Sequence, residues 1–130
     1  MRVLQPPEWA KPRGYSNGIA CKGTLVFVAG QIGWTADGRF ETDEFAGQFA
    51  QALRNVVAVC AEAGAKPEHI VRLAWFITSK RDYLAALPQI GAAYREIMGR
   101  HYPTMTVVEI AALVEDRAKI EIEATAVIPD

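Results

Sequence analysis

The chain has 130 residues, 51% of them hydrophobic and 22% charged, and its 14 basic and 15 acidic residues leave a formal net charge of −1. This composition is typical of one soluble domain spanning residues 1–130, and it gives no indication of a nucleic-acid partner, because Lys and Arg form no stripe. No segment approaches the roughly 20 apolar residues of a membrane span or resembles a signal peptide, which favours a cytoplasmic protein without a membrane partner.

The amino-terminal third is predicted to contain an extended arm followed by a β-hairpin. Three prolines between residues 5 and 14 predict the arm. The stretch "GIACKGTLVFVAGQIG" predicts strands at 19–22 and 24–29 that turn near Gly23. The second of these strands is apolar on both faces, which is typical of a strand that is covered on both sides.

The rest of the chain alternates between helical and strand patterns. One helical stripe begins near Asp43, and a second helix is predicted to end before Gly99, with Pro88 in its first turn or at a kink. Three further strands are predicted at "HIVRLAWFIT", "PTMTVVEIAAL" and "AKIEIEATAVI". The order β-β-α-β-α-β-β predicts an α+β fold with a mixed sheet and two helices on one face.

The strands at 24–29 and 70–77 indicate that the other face of this sheet is also covered. Both are apolar on both faces, and two helices are enough to cover only one face. The simplest cover is a second copy of the chain. The pattern therefore predicts a homo-oligomer.

Cysteine and histidine usage predicts neither a metal nor another cofactor. Cys21 and Cys60 are too few for a metal site, and both are predicted to be small core residues without a disulfide. His69 and His101 are far apart in the sequence and form no metal-binding motif.

The stretch "KIEIEATAV" places Lys119, Glu121 and Glu123 on one face of a strand and its isoleucines on the other. Two interpretations of the charged face remain open. It is either a solvated outer surface or the polar wall of a cleft.

A hairpin formed by the last two strands would favour the cleft. Opposite charges favour a register with Glu109 opposite Lys119, which places Val107 opposite Glu121 and puts Met105 on the same face, away from the helices. The carboxylates would then line a cleft between subunits. One of them could act there as a general acid or base, although a structural ion-pair network has the same signature.

Several stretches together resemble one family over nearly the whole chain. They are "GYSNGI", "VFVAGQIG", "ALRNVVAVCAEAGAKPEHIVRLAWFIT", "HYPTMTVVEIAAL" and "KIEIEATAV". They are similar to the RidA (YjgF) family of enamine/imine deaminases, also described as L-PSP endoribonucleases. The resemblance implies a chorismate-mutase-like α+β subunit and a homotrimer that binds a small molecule in clefts at its subunit interfaces.

The resemblance also implies roles for individual residues. Glu121 matches the glutamate that handles a water molecule, and Tyr15 matches a tyrosine of the cleft. Gly30 follows Ala29, which stands where the family has a serine. Glu123, on the same strand face as Glu121, is predicted to contact the substrate.

The sequence departs from the family at the residue that grips the substrate carboxylate. The Pro-Ala-Arg-Ser/Thr segment corresponds to "PTMT", so Met105 stands at the arginine position, and Val107 stands where a cysteine is frequent. The family's helical asparagine aligns with Gly91. Without the arginine, small 2-imino acids are expected to be poor substrates.

Other residues are candidates to complete the cleft around Met105. Trp34 or Trp75 would favour a larger or less charged ligand, and three arginines are candidates to replace the missing charge. These are Arg13, Arg39 and Arg117.

The sequence thus supports two functions. The first is an enamine or imine deaminase with altered specificity, in which Glu121 activates water and Tyr15 orients the substrate. The alternative is a non-catalytic trimer that binds a metabolite. RNA cleavage is implied only by the family's older description, and the net charge of −1 does not favour it.

Overall fold

The computed structural model describes all 130 residues, Met1–Asp130. Six strands and three α-helices follow one another in the order β-β-β-α-β-α-α-β-β. The strands are β1 (Arg2–Leu4), β2 (Gly18–Ala20), β3 (Thr24–Ile32), β4 (Ile70–Ile77), β5 (Thr104–Glu109) and β6 (Ile120–Ile128). The helices are α1 (Phe45–Glu62), α2 (Lys80–Ala85) and α3 (Leu87–Met98), and a 3-10 turn at Pro67–His69 precedes β4.

A four-stranded mixed sheet in the order β3-β6-β4-β5 forms the centre of the protein. β6 is antiparallel to both β3 and β4, whereas β4 and β5 are parallel. Parallel neighbours need a crossover connection, and the segment with α2 and α3 provides it. The predicted α+β fold with a mixed sheet is confirmed.

The helices pack on one face of this sheet. α1 contributes a stripe of fully buried side chains that includes Phe49, Leu53 and Val56. The sheet contributes Leu73 and Ile122, which are also fully buried in the same cluster. Full burial of each such side chain stabilises the fold by about 1.5–3 kcal/mol. The predicted stripe of α1 and the inward orientation of the isoleucines of β6 are both confirmed.

Gln48 is a fully buried polar residue in this core. Its Nε2 donates hydrogen bonds to the carbonyl oxygens of Thr42 (3.2 Å) and Arg117 (3.0 Å), and its Oε1 accepts one from the backbone N–H of Lys119 (2.8 Å). The side chain therefore ties α1 to the backbone that leads into β6. Nearby, a Cβ at Gly33 would lie 2.6 Å from the Gln48 backbone, so only glycine fits there.

The helix predicted before Gly99 is in fact two helices. α2 is capped by Ser79, whose Oγ accepts a hydrogen bond from the Asp82 N–H (3.1 Å), and it ends at Ala86. Pro88 lies in the first turn of α3, where the missing N–H costs no helical hydrogen bond. The prediction of Pro88 in a first turn is confirmed, and the break at Ala86 was not predicted.

The hairpin predicted around Gly23 is wrong. β2 pairs with β1 in a separate two-stranded sheet, and β3 pairs with β6. At Gly23 the backbone passes against the Ile128 carbonyl at the end of β6, so that no Cβ would fit, and the chain turns away from β2 there. Cys21, in the connection outside the main sheet, is exposed rather than in the core, whereas Cys60 is buried as predicted.

The hairpin predicted for the last two strands is also wrong, because β4 lies between β5 and β6. Trp75 of β4 is paired with Val107 on one side and with Ile122 on the other. Met105 and Val107 therefore lie on the helix side of the sheet. Glu121 lies on the opposite, open face with Glu123.

Glu109 and Lys119 do not pair, contrary to the register prediction. The Glu109 Oε1 instead accepts a hydrogen bond from the backbone N–H of Lys80 (2.7 Å) at the start of α2. One exposed charge pair contributes at most about 1 kcal/mol. β4 is apolar on both faces, and the burial gained by placing it between β5 and β6 outweighs the loss of this charge pair.

The open face of the sheet exposes large apolar side chains. Leu25 is 57% exposed, Phe27 74% and Val108 40%. The expectation that a second copy covers this face stays a prediction. None of the helices combines the length and hydropathy that a membrane-spanning segment requires.

Candidate functional site

A cleft of about 630 Å³ opens between the helices and the β5 edge of the sheet. Thirteen residues line it, nine of them hydrophobic. The structure brings three of the predicted site residues together here, namely Tyr15, Met105 and Val107, and Gly91 lies beside them. Tyr15 is held near β5 by its neighbour Ser16, whose N–H donates to the Pro103 carbonyl (3.0 Å).

Four aromatic side chains form one wall of the cleft. Tyr94 and Tyr102 stack with centroids 5.5 Å apart and planes within 6°, and Trp75 lies 6.4 Å from both Tyr83 and Tyr94. Of the two candidate tryptophans, Trp75 therefore lines the cleft, whereas Trp34 packs against Phe40 elsewhere. Tyr83 and Tyr102 are half-buried and can contact a ligand, whereas Trp75 (3% exposed) and Tyr94 (5% exposed) support them from the core.

The hydroxyl of Tyr94 has a structural role. It donates a hydrogen bond to the carbonyl of His101 (2.6 Å), and burial, reinforced by Tyr102, raises the pKa of Tyr94 well above its usual range. Burial also raises the pKa of Tyr83. Both phenols stay protonated at neutral pH, so neither is suited to act as a base. The Nε1 of Trp75 is buried without a hydrogen-bond partner.

The charged residues that line the cleft are two arginines, Arg13 and Arg95. Neither forms an ion pair within the chain, and no acidic side chain lines the cleft. The other two candidate arginines point elsewhere, Arg39 to Asp37 (3.3 Å) and Arg117 to Asp43 (2.7 Å). The cleft is therefore positively charged.

Arg117 has a different role, at the other end of the sheet. Its hydrogen bond and its charge hold the pKa of Asp43 below the usual value of a carboxyl. Arg117 is therefore occupied by this pair, and it does not line the cleft around Met105.

The other predicted site residues surround a β-bulge on the open face. The register of β3 against β6 shifts between Val28 and Gln31. Two residues of β3, Ala29 and Gly30, lie there opposite a single residue of β6. The bulge brings Gly30 against Glu121, since a Cβ at position 30 would lie 2.6 Å from the Glu121 Oε2. Ala29 and Glu123 line a groove of about 390 Å³ beside it.

The predicted site residues thus form two groups on opposite faces of one sheet. Glu121 with Gly30 offers a carboxylate that can accept a proton. The cleft around Met105 offers apolar surface and two positive charges but no carboxylate. No group of three or more His, Cys, Asp or Glu side chains lies close enough together to hold a metal ion.

Sequence reasoning missed Arg95. It lies on α3 four residues after Gly91, where an exposed arginine is usually part of a solvated surface. The signal that could have found it is the glycine, because glycine within a helix is unfavourable and often has a packing or functional reason.

The fold is α+β with a mixed sheet, and a cleft of about 630 Å³ lies between the helices and the β5 edge. Residues 8–128 match the family described as Endoribonuclease L-PSP. The chain therefore belongs to this family, the RidA (YjgF) family. The place of Met105 at the family's arginine position stays a prediction.

Relatives and solved structures agree with this assignment. The 2-iminobutanoate/2-iminopropanoate deaminase of Salmonella typhimurium is 32% identical over 108 residues, covering 81% of this chain and 80% of its own. A RutC family protein of Synechocystis is 31% identical and covers 99% of this chain and 98% of its own. The Rid family protein YyfB of Yersinia pestis superimposes with a TM-score of 0.83 at 32% identity, covering 98% of both chains. Escherichia coli TdcF with bound serine gives 0.70 at 30% identity, with 98% and 99% covered.

Proposed function

We propose that this protein hydrolyses imines or enamines of a small metabolite. An enamine first moves a proton from nitrogen to the β-carbon and so becomes the imine. Water then adds to the carbon of the C=N bond, forming a C–O bond. The C–N bond then breaks, the oxygen stays as a carbonyl, and the nitrogen leaves as ammonia with the two hydrogens of the water. Family membership and the deaminases among the relatives support this chemistry.

The observation that carries the proposal is the carboxylate of Glu121 beside Gly30. Glu121 is half-buried and lies next to Phe76 in the sheet, and Gly30 has no side chain that would push the carboxylate away. A carboxylate held in this way can position a water molecule and take its proton. Tyr15, in the cleft, is available to orient the substrate.

We further propose that two copies of the chain complete each site, within a homotrimer. Glu121 and Met105 lie on opposite faces of one sheet, and the face with Glu121 exposes Leu25 and Phe27. A second copy that covers this face would bring its cleft to the carboxylate. Light scattering at micromolar concentration is expected to give about three times the mass of one chain, and a monomer would contradict the shared site.

The substrates are expected to be bulkier than the small 2-imino acids. Met105 and Val107 place apolar surface in a cleft of about 630 Å³. The test is ammonia release from imines generated in situ by an amino acid oxidase from alanine, leucine and phenylalanine. We expect the largest acceleration over spontaneous release with the bulky imines, and no acceleration with any of them would contradict the proposal.

The variant Gly30→Ala tests the carboxylate without removing it. The added Cβ would lie 2.6 Å from the Glu121 Oε2, 2.7 Å from its Cδ and 2.9 Å from its Cγ, so the side chain would have to shift from Cγ outward and the carboxylate would be displaced. We expect ammonia release to fall about 100-fold, because small displacements of reacting groups are costly, with little change in melting temperature.

A second substitution distinguishes displacement of the Glu121 carboxylate from disruption of the fold around residue 30. Glu121→Asp removes the outer part of the side chain, including the Oε2 that lies 2.6 Å from the new Cβ, so the overlap is smaller and the double variant Gly30→Ala/Glu121→Asp is expected to recover part of the lost rate. A double variant slower than both single variants would show that the contact between these residues is unimportant.

The second candidate is a trimer that binds a metabolite without chemistry. It is favoured if the copies do not bring Glu121 to the cleft, since the cleft of one chain contains no carboxylate and Glu121 lies on the opposite face of the sheet. Its signature would be a ligand that raises the melting temperature in proportion to its concentration and is recovered unchanged. Ammonia release that depends on Glu121 would exclude this alternative.

A further inference from the structure

We infer that the cleft binds an aromatic carboxylate, with Arg95 of α3 and Arg13 holding the anion. The inference deepens the proposed function and rests on it for the chemistry, but the binding can be tested alone. The substrate class that follows is a 2-imino acid with an aromatic ring.

The guanidinium of Arg95 lies close over Gly91 in the cleft. The two residues are one helical turn apart on α3, and a Cβ at position 91 would lie 3.3 Å from the Arg95 Nη1. The guanidinium therefore lies across the space that a larger side chain at 91 would fill. Arg95 of α3 therefore places a positive charge in the cleft. Met105 lines the same cleft but carries no charge.

The charge of the cleft selects an anion. Arg13 and Arg95 have no acidic partner in the chain, and all the other residues that line the cleft are uncharged. A guanidinium offers two parallel N–H donors that match the two oxygens of a carboxylate. A ligand carboxylate would therefore supply the partner that both arginines lack.

The aromatic wall selects a ring. Tyr83 and Tyr102 present the partly exposed rings of this wall, and Trp75 and Tyr94 pack behind them in the core. Offset and edge-to-face contacts between rings add to the gain from apolar burial. Met105 provides a soft, polarisable surface that packs well against an aromatic ring. A three-carbon acid would use the charge of the cleft but leave this wall uncovered.

The binding test uses stable 2-oxo acids in place of the imines. Calorimetric titration of the full-length protein would compare phenylpyruvate, pyruvate and the uncharged ketone phenylacetone. We expect phenylpyruvate to bind best, because only this compound offers both the ring and the carboxylate. Equal affinities for pyruvate and phenylpyruvate, or no binding of phenylpyruvate, would overturn the inference.

Three variants locate the anion. Arg95→Met keeps a long apolar side chain and is expected to weaken phenylpyruvate binding about tenfold, with phenylacetone unaffected. Gly91→Ala keeps the charge but displaces the guanidinium, so a smaller loss is expected. Arg54→Met, at an exposed position of α1, is the control and should bind like the wild type. An unchanged phenylpyruvate affinity in Arg95→Met would overturn the role of Arg95.

The outcomes separate this inference from the proposed function. Binding that depends on Arg95, without any ammonia release, would support the ligand class and contradict the deaminase. Ammonia release from the imine of phenylalanine that is unchanged in Arg95→Met would support the deaminase and contradict the inference.

Discussion

Replacing Glu121 by glutamine is expected to reduce ammonia release by about 10²–10⁴-fold, the usual contribution of a general base. The amide keeps the size of the carboxylate beside Gly30 but cannot take a proton from water. The melting temperature should change little, since Glu121 makes no ion pair or side-chain hydrogen bond within the chain. Ammonia release over a range of bulky imines is the measurement.

Two further glutamate variants make this result specific. Glu62→Gln, on an exposed position at the end of α1, removes the same charge far from the bulge and should retain the wild-type rate. Glu123→Gln shows whether the second carboxylate of β6 also contributes. A wild-type rate in Glu121→Gln would remove Glu121 from the mechanism.

The substitution with the largest expected effect on stability is Gln48→Leu. Leucine fills a similar volume but leaves the carbonyls of Thr42 and Arg117 and the N–H of Lys119 without their partner. We expect the free energy of unfolding to fall by about 2–4 kcal/mol, which lowers the melting temperature by roughly 10 °C. Thermal or urea unfolding followed by circular dichroism measures the change.

The same substitution at a neighbouring position of α1 is the control. Gln51 is only partly buried, and its Nε2 donates to the side chain of Asn55 (2.9 Å) rather than to the backbone of another element. Gln51→Leu should change stability by less than about 1 kcal/mol. Equal effects of the two variants would show that the link from Gln48 to β6 does not stabilise the fold.

Periodicity predicted the elements and their buried faces well where the pattern was strong. The stripe of α1 and the inward isoleucines of β6 are both found in the core, because a helix or strand that packs on one side repeats its apolar residues at a fixed spacing. The two-residue period of a strand also correctly predicted that Glu121 and Glu123 share the face opposite to the isoleucines.

Strand pairing could not be predicted from neighbours in the sequence. The charges of Glu109 and Lys119 suggested a hairpin, but β4 lies between the two strands. This error placed Met105 on the wrong face, since the face had been deduced from the hairpin. Local charge pairs are weak, and the pairing depends on contacts between segments far apart in the chain.

The composition of the cleft was only partly visible in the sequence. Met105, Val107 and Tyr15 were grouped through the resemblance to a family, and the structure brings them together. The place of Arg95 in the cleft was missed, because it depends on where α3 packs and on the space above Gly91. Neither is a property of a short stretch of sequence.

The place of β6 in the sheet affects how the chain folds during its synthesis. β6 comes last in sequence but lies between β3 and β4, and it pairs Thr24 with Ile128. Until residues 120–128 have left the ribosome, β3 has no strand beside it and β4 has a free edge. Until residues 120–128 have been synthesised, the chain therefore exposes apolar strand edges, and such edges favour aggregation.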